Sequence, residues 1–241
     1  MIRNESGCST WNIRHQSVHC HPVWGILQSC RMPTEILPTH TPELLARAVD
    51  RAAELLCRGE VVVVPTETVY GLAANAFNPD AVARIFQIKG RPAHNPIIVH
   101  VASSPMAQEC AAGWPKLGTK LAGAFWPGPL TLILPRRAGV AEASAGGQQS
   151  IGLRCPSHPV AQAVMRRAQA LGVQGISAPS ANRFGRVSPT TAAHVQDELG
   201  SELLVLDGGA CEVGIESTII DCTRGRPVLL RPGMLSIETL S

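Results

Sequence analysis

The sequence predicts a single α/β domain, of the α+β kind, in which a twisted mixed β-sheet is flanked by helices. Three observations predict it. Short apolar runs of strand length, at 61–64 and 130–134, alternate with segments whose apolar residues recur at helical spacing. Glycine and proline punctuate nearly every join between them. Several joins are too short to hold a crossover helix, which favours a mixed sheet over an all-parallel one.

With 241 residues and 45% hydrophobic content, the chain can bury one substantial core. The net charge of +3 suits an anionic substrate or an RNA partner without establishing either. Only three of the 21 cationic residues are lysines, so Lys89 in the same turn as Arg91 stands out. Aromatic content is 4%, with Tyr70 the single tyrosine, which argues against a stacking surface for single-stranded nucleic acid. Eight cysteines without a CxxC pair, beside a large core, predict reduced thiols and a cytoplasmic setting. There is no secretory h-region, and no apolar run approaches the ~18 residues of a membrane span.

Residues 1–31 differ from the rest. They mix Cys8, Cys20 and Cys30 with His15, His19 and His21 and keep no helical or strand period. A metal site from His19, Cys20, His21 and Cys30 would be the sharp reading, but the spacing matches no ligand pattern. The expectation is therefore a disordered N-terminal extension, with the folded domain over 32–241. Met32-Pro33 is the expected natural start, to be checked by mass spectrometry of the natural N-terminus.

Thr41, Pro42 and Glu43 open a helix with Leu44, Leu45, Ala48, Ala52, Leu55 and Leu56 on one face, and Gly59 ends it. The β-branched run 61–64 is an interior strand that Pro65 stops, so the Thr66-Glu67-Thr68 turn sits at a strand end. Asn78 caps a second helix with Pro79 at its first position, and Gly90 closes it. Lys89 and Arg91 flank that glycine, where long cationic side chains can reach an anion and are expected to be exposed. A strand at 97–101 carries His100. Helices follow at 106–112 and 117–124, then a stiff turn at 125–129 whose rings are read as core. A strand at 130–134 leads into a polar, Gly/Ala-rich loop, 136–149, with the composition of a mobile segment.

The segment 150–156 is a short strand ending in Arg154. Helix 159–171 turns Val160, Ala163, Val164 and Ala168 inward and Arg166 and Arg167 outward. The strand 176–182 runs into small and hydroxylated residues, which let a ligand approach the backbone. Ser188-Pro189-Thr190 begins a helix to Leu199, and strands at 203–206, 217–221 and 228–230 complete the chain.

The polar residues gathered at strand ends are Thr66, Thr68, Lys89, Arg91, Asn95, His100, Arg154, Ser180, Asn182, Ser188, Ser217 and Arg231. Cations, hydroxyls and amides with few carboxylates suit a polyanion such as a nucleoside triphosphate. Taken singly, a histidine after a strand is most often structural and a Ser/Ala/Asn cluster is most often a turn. Their recurrence at successive strand ends is what points to a site. No GxxxxGK[ST] loop, GxSxG or HExxH occurs.

PTETVYGL, KGRP followed by NP and a strand-ending histidine, IGLRCP, SAPSAN, ESTIID and LRPG occur here in that order. Together they resemble the YrdC family of L-threonylcarbamoyladenylate synthases, from about residue 44 to 235. The resemblance implies a single domain with a deep basic cleft. It also implies a nucleotidyltransferase that forms threonylcarbamoyl-AMP and pyrophosphate from L-threonine, bicarbonate and ATP, feeding a transferase complex that makes threonylcarbamoyladenosine in tRNA. It assigns Thr68, His100, Arg154, Ala178 and Ser217 to threonine. It assigns Lys89, Arg91, Asn95, Ser150, Ser180, Asn182, Ser188 and Arg231 to ATP, with Lys89, Arg91 and His100 as the catalytic group. Magnesium is expected to travel with ATP, since no carboxylate cage is visible.

Long members of the family carry a smaller domain after the LRPG segment, so this chain resembles the short form or a truncated long form. Two other readings compete. One is a module that binds double-stranded RNA or tRNA without adenylate synthesis, which strong salt dependence would mark. The other is a carbamoyl-adenylate-forming domain of the hydrogenase-maturation type.

Overall fold

The computed structural model describes residues 35–200 and 202–240, and these belong to one compact unit. The readings made for residues 1–31 lie outside the described residues. Among the described residues, ten strands form one mixed sheet: β1 (Glu35–Pro38), β2 (Val62–Val64), β3 (Gly71–Asn75), β4 (Val99–His100), β5 (Leu130–Pro135), β6 (Ser150–Arg154), β7 (Ile176–Ser177), β8 (Leu204–Asp207), β9 (Thr218–Asp221) and β10 (Val228–Arg231). Their spatial order is β1-β8-β2-β3-β7-β4-β6-β5-β9-β10, with parallel and antiparallel neighbours intermixed as expected. The helices are α1 (Pro42–Cys57), α2 (Pro79–Lys89), α3 (Ser104–Cys110), α4 (Lys116–Phe125), α5 (Pro159–Ala170), α6 (Ala192–Leu199) and the single turn α7 (Ile237–Leu240).

Local signals set most boundaries. The Thr41 side chain caps α1, and Asn78 caps α2 with Pro79 in its first turn. Gly90 ends α2 in the left-handed region at φ 61°, which glycine adopts without steric cost. Several elements begin or end elsewhere than the sequence predicts; the strand expected over 176–182 is only β7, and that over 150–156 ends at Arg154. α3 starts at Ser104 because Ser103 caps it. α6 starts at Ala192 under a Thr191 cap, since the Pro189 carbonyl is taken by the Tyr70 amide. The strand expected over 97–101 shrinks to β4, and the Ile97 amide instead bonds to Ser144. β1, β3 and α7 were not foreseen; β3 reads GLAAN, small residues without a β-branched run, yet its first four residues are buried.

The period of two along the strands divides the sheet into two chemistries. Val99, Leu153, Leu132 and Ile220 lie in one cross-strand row of β4, β6, β5 and β9, and all four join the core under α1, α3, α4 and α5. The adjacent row is His100, Arg154, Thr131 and Ile219, which must face the opposite side. At β2 and β3 the sheet is also packed by α2 and α6, through Val63, Leu72, Ala74, Val82, Ile85 and Val195. Among the described residues, no helix covers the His100 row over β4, β6, β5 and β9. The open half of this face is where the cleft forms.

Candidate active site

The cleft has a volume of about 570 Å³, within the range of small-molecule sites. Its floor is the polar sheet face: His100, Arg154 and Ile219 from one row, with Gly152, Ile133 and Asp221 from the row two residues along. Gly152 keeps that floor deep. A Cβ there would sit 3.2 Å from Ile133 Cδ1 and 3.5 Å from Ile98 Cγ1, filling cleft space with methyl groups. The walls come from the turn after β2 (Thr66, Val69), the segment after α2 (Arg91, Pro96, Ile97), Ala178–Ser180 after β7, and the Glu216–Ser217 and Arg231 ends of β9 and β10.

Of the residues assigned by resemblance, Arg91, His100, Ser150, Arg154, Ala178, Ser180, Ser217 and Arg231 line this one cleft. Thr68 does not line it. Thr68 is fully buried, and its hydroxyl lies 3.0 Å from that of Thr66, which does line the cleft. Asn95 is half-buried in the turn closed by its own amide on Pro92, outside the lining. Ser150 donates to Gln148 Oε1 at 3.3 Å.

Lys89 corrects the expectation of an exposed cation. Only 3% of it is exposed, and its Nζ lies 2.5 Å from the carbonyls of both Ser180 and Asn182. Burial first, and then the positive charge of Arg91, draw its pKa down to about 8. The helix end does aim it away from solvent, but at the backbone of the SAPSAN turn, whose two carbonyls need a donor. Asn182 is also turned inward: its Nδ2 donates to Arg183 O and Arg186 O at 2.8 Å each, holding the following loop. Ser188 donates to Glu216 Oε1 at 2.8 Å. Lys89, Asn182 and Ser188 thus shape the wall rather than stand free in it.

The cleft is also less uniformly basic than the strand-end inventory suggests. Arg154 is 3% exposed, and its Nη2 lies 2.8 Å from Glu67 Oε1, an approach of charges without the alignment of a hydrogen bond. Glu67 Oε2 accepts from the Ser157 amide at 3.1 Å, so the carboxylate is fixed independently of the arginine. Arg231 donates through Nε to Ser217 O and through Nη2 to Ser217 Oγ, both at 3.0 Å, and lies 3.6 Å from Glu216. Ser217 Oγ in turn lies 2.8 Å from Thr131 Oγ1 on the sheet floor. Glu67 and Glu216 are site residues that the sequence reading passed over. A carboxylate inside the PTETVYGL and ESTIID motifs was the available signal.

Buried polar atoms with no hydrogen-bond partner among the described residues concentrate here. They include Nε and Nη2 of Arg154, Nδ1 of His100 and Nε of Arg91. His100 is buried, with 3% of its surface exposed. Desolvation, and then the charge of Arg154, hold its pKa well below the ordinary histidine range, so the ring is neutral near pH 7. The loop 136–149 is not a loose segment. Ser144 Oγ lies 2.5 Å from Ser177 Oγ, and Ser144, Ala145 and Gln148 line the cleft. The rings of the 125–129 turn, expected in the core, are partly buried and pack against it, with Trp126 edge-on to Trp114 at 6.0 Å. No group of three His, Cys, Asp or Glu side chains among the described residues could hold a metal ion. Among those residues no helix is long and apolar enough to cross a membrane.

Comparison with known proteins bears on the same residues. The Sua5/YciO/YrdC family model, described as "Telomere recombination", matches residues 54–233. A threonylcarbamoyl-AMP synthase of Pyrococcus abyssi is 46% identical over 190 residues, covering 78% of this chain and 55% of that protein. One from Bacillus subtilis is 42% identical over 209 residues, covering 86% and 58%. The crystal structure of P. abyssi Sua5 complexed with L-threonine superposes with a TM-score of 0.75 at 44% identity, over 79% of this chain and 55% of that one. The chain thus spans a little over half the length of these curated relatives. The matched segment contains the whole cleft, from Thr66 to Arg231, and the chain belongs to the Sua5/YciO/YrdC family.

Proposed function

We propose that this chain forms L-threonylcarbamoyl-AMP and pyrophosphate from L-threonine, bicarbonate and ATP, and that the product passes in the cytosol to a complex that transfers the threonylcarbamoyl group to tRNA. The observation that carries the reading is the buried guanidinium of Arg154, whose Nε and Nη2 have no hydrogen-bond partner although Glu67 lies 2.8 Å away, beside the neutral His100, whose Nδ1 has none, on the cleft floor. Such donors are costly to bury unless a ligand completes them. An amino-acid carboxylate suits the arginine, and a neutral ring suits a neighbouring amine or hydroxyl. Relatives named threonylcarbamoyl-AMP synthase, and a threonine-bound relative, support the same assignment.

The reaction needs positioning more than a covalent nucleophile. Threonine's amine and bicarbonate give a carbamate, with loss of water. A carbamate oxygen then bonds to the α-phosphorus while the bond to pyrophosphate breaks. In this cleft Arg154 would hold the threonine carboxylate, with Ser217 and His100 beside it and Ala178 keeping the wall shallow. Arg91 and Arg231 would face the phosphates, with Ser150 and Ser180 along the nucleotide. Lys89 and Asn182 would hold the turn that presents Ser180, and Thr68 and Asn95 would support the walls next to Thr66 and Pro96. Of the two carboxylates lining the cleft, Asp221 is already engaged by Thr223 and Arg224, so a protein cage for magnesium does not fit. Magnesium borne by ATP's own phosphates needs none.

The test is pyrophosphate release with ATP, bicarbonate and each amino acid in turn. Release that depends on threonine is expected. Absence of release with threonine overturns the reading, and equal release with serine overturns its specificity alone.

A further inference from the structure

Glu216 stands at the mouth of the cleft, one residue before Ser217, with its carboxylate among the groups that the ATP reading gives to phosphate. Its Oε1 accepts the Ser188 hydroxyl at 2.8 Å, and its Oε2 lies 3.6 Å from Arg231 Nη2. The Glu216 and Arg231 side chains are each about one third exposed, at 35% and 34%, so solvent and solutes reach both. The negative charge of Glu216 also acts on Lys89 and Arg91. One carboxylate therefore serves the serine and all three of these cations.

A serine hydroxyl has a single proton to donate. Ser188 can give it to Glu216 or to a phosphate oxygen, but not to both. Arg231 is placed differently. Its Nε and one proton on Nη2 are committed to Ser217, and the rest of its five N–H donors remain for an anion. Bringing polyphosphate against Arg91 and Arg231 also sets several negative charges near that of Glu216, which costs free energy in a partly desolvated cleft.

We propose that Glu216 is an internal anion that occupies the phosphate end of the cleft and is exchanged for the phosphates of ATP. This rests on the ATP reading above. On exchange the Ser188 hydroxyl turns from the carboxylate to a phosphate oxygen, and Arg91 and Arg231 take the phosphate as their counter-ion in place of Glu216. The carboxylate raises the threshold for entry. A polyphosphate, with more charge and more acceptor oxygens than one carboxylate, displaces it, whereas a singly charged anion gains little over what it replaces. Because Arg231 joins Glu216 on one side to Ser217 on the other, the exchange takes place beside the residue placed with threonine.

The experiment is calorimetric titration of the wild-type chain and of Glu216→Gln with a non-hydrolysable ATP analogue in magnesium buffer. Thermal unfolding of both proteins is followed in parallel. Glutamine keeps the shape and an acceptor for Ser188 but removes the charge. The expected result is that the variant stays folded and binds the analogue more tightly, by about three- to tenfold, as loss of one nearby like charge predicts. Equal or weaker binding by the variant, with the wild type binding normally, overturns the role of Glu216 and leaves the ATP reading standing. If the variant does not fold, Glu216→Ala is titrated in its place with the same expected direction. Failure of the wild-type chain itself to bind the analogue overturns both.

Discussion

At the scale of single residues, Lys89 has the clearest consequence. Its ammonium satisfies two carbonyls, those of Ser180 and Asn182, from inside the protein. Lys89→Met removes both bonds and is expected to cost about 2–3 kcal/mol of stability, since hydrogen bonds from a charged donor are the stronger class. The difference from wild type should depend on pH with a definite sign. The folded lysine releases its proton from about pH 8 and the unfolded one only near 10.5. Between those values the unfolded state binds more protons, so wild-type stability rises with pH relative to the variant. Urea midpoints of both proteins across that window check this, and an unchanged midpoint would return Lys89 to a direct role at the phosphates. The chemistry of such residues was legible in the sequence, where KGRP, IGLRCP and LRPG mark cations at element ends. Burial was not, because the carbonyls that hold Lys89 come from residues 91 and 93 positions away.

At the scale of elements, the β9–β10 hairpin carries Ser217 and Arg231 into the site together, and Gly233 sets how closely they sit. A Cβ at Gly233 would fall 2.5 Å from both Glu216 O and Thr218 N, and 2.7 Å from Ser217 C, all of them backbone atoms. The turn after β10 can lie this close to the start of β9 only without a side chain. Gly233→Ala should push the turn away and break the bonds from Arg231 to Ser217 O and Oγ. The expected outcome is a loss of threonine-dependent turnover of tenfold or more, from a displacement on the order of 1 Å. The fall in melting temperature should be small, because β10 is an edge strand with no fully buried residue. Turnover close to wild type would show that the hairpin adapts. The turns here were readable from their glycines and prolines, as at Gly90 and at 231–233. β3 was not, because its sequence carries no strand preference and its place is fixed by packing on both faces.

At the scale of the whole molecule, the sheet alternates between a closed face and an open one, and binding should be felt across all the strands it joins. A ligand held by Arg154 on β6, His100 on β4 and Ser217 at the start of β9 ties together strands whose other face is the main core. Ligand that binds only the folded state stabilises it by RT ln(1 + [L]/Kd), about 2.7 kcal/mol at a hundredfold excess over Kd. Threonine at that excess should therefore raise the melting temperature of the wild-type chain. Arg154→Ala should abolish the rise at the same concentration, since it removes the group expected to hold the carboxylate. Arg91→Ala should keep it, because Arg91 lies on the phosphate side of the cleft, stacked 5.7 Å from Phe184. Scanning calorimetry of the three proteins with and without threonine separates the outcomes. Protection lost in both variants would mean that the two halves of the cleft do not divide their ligands as proposed. Protection kept in Arg154→Ala would move the amino-acid site off the polar row of the sheet.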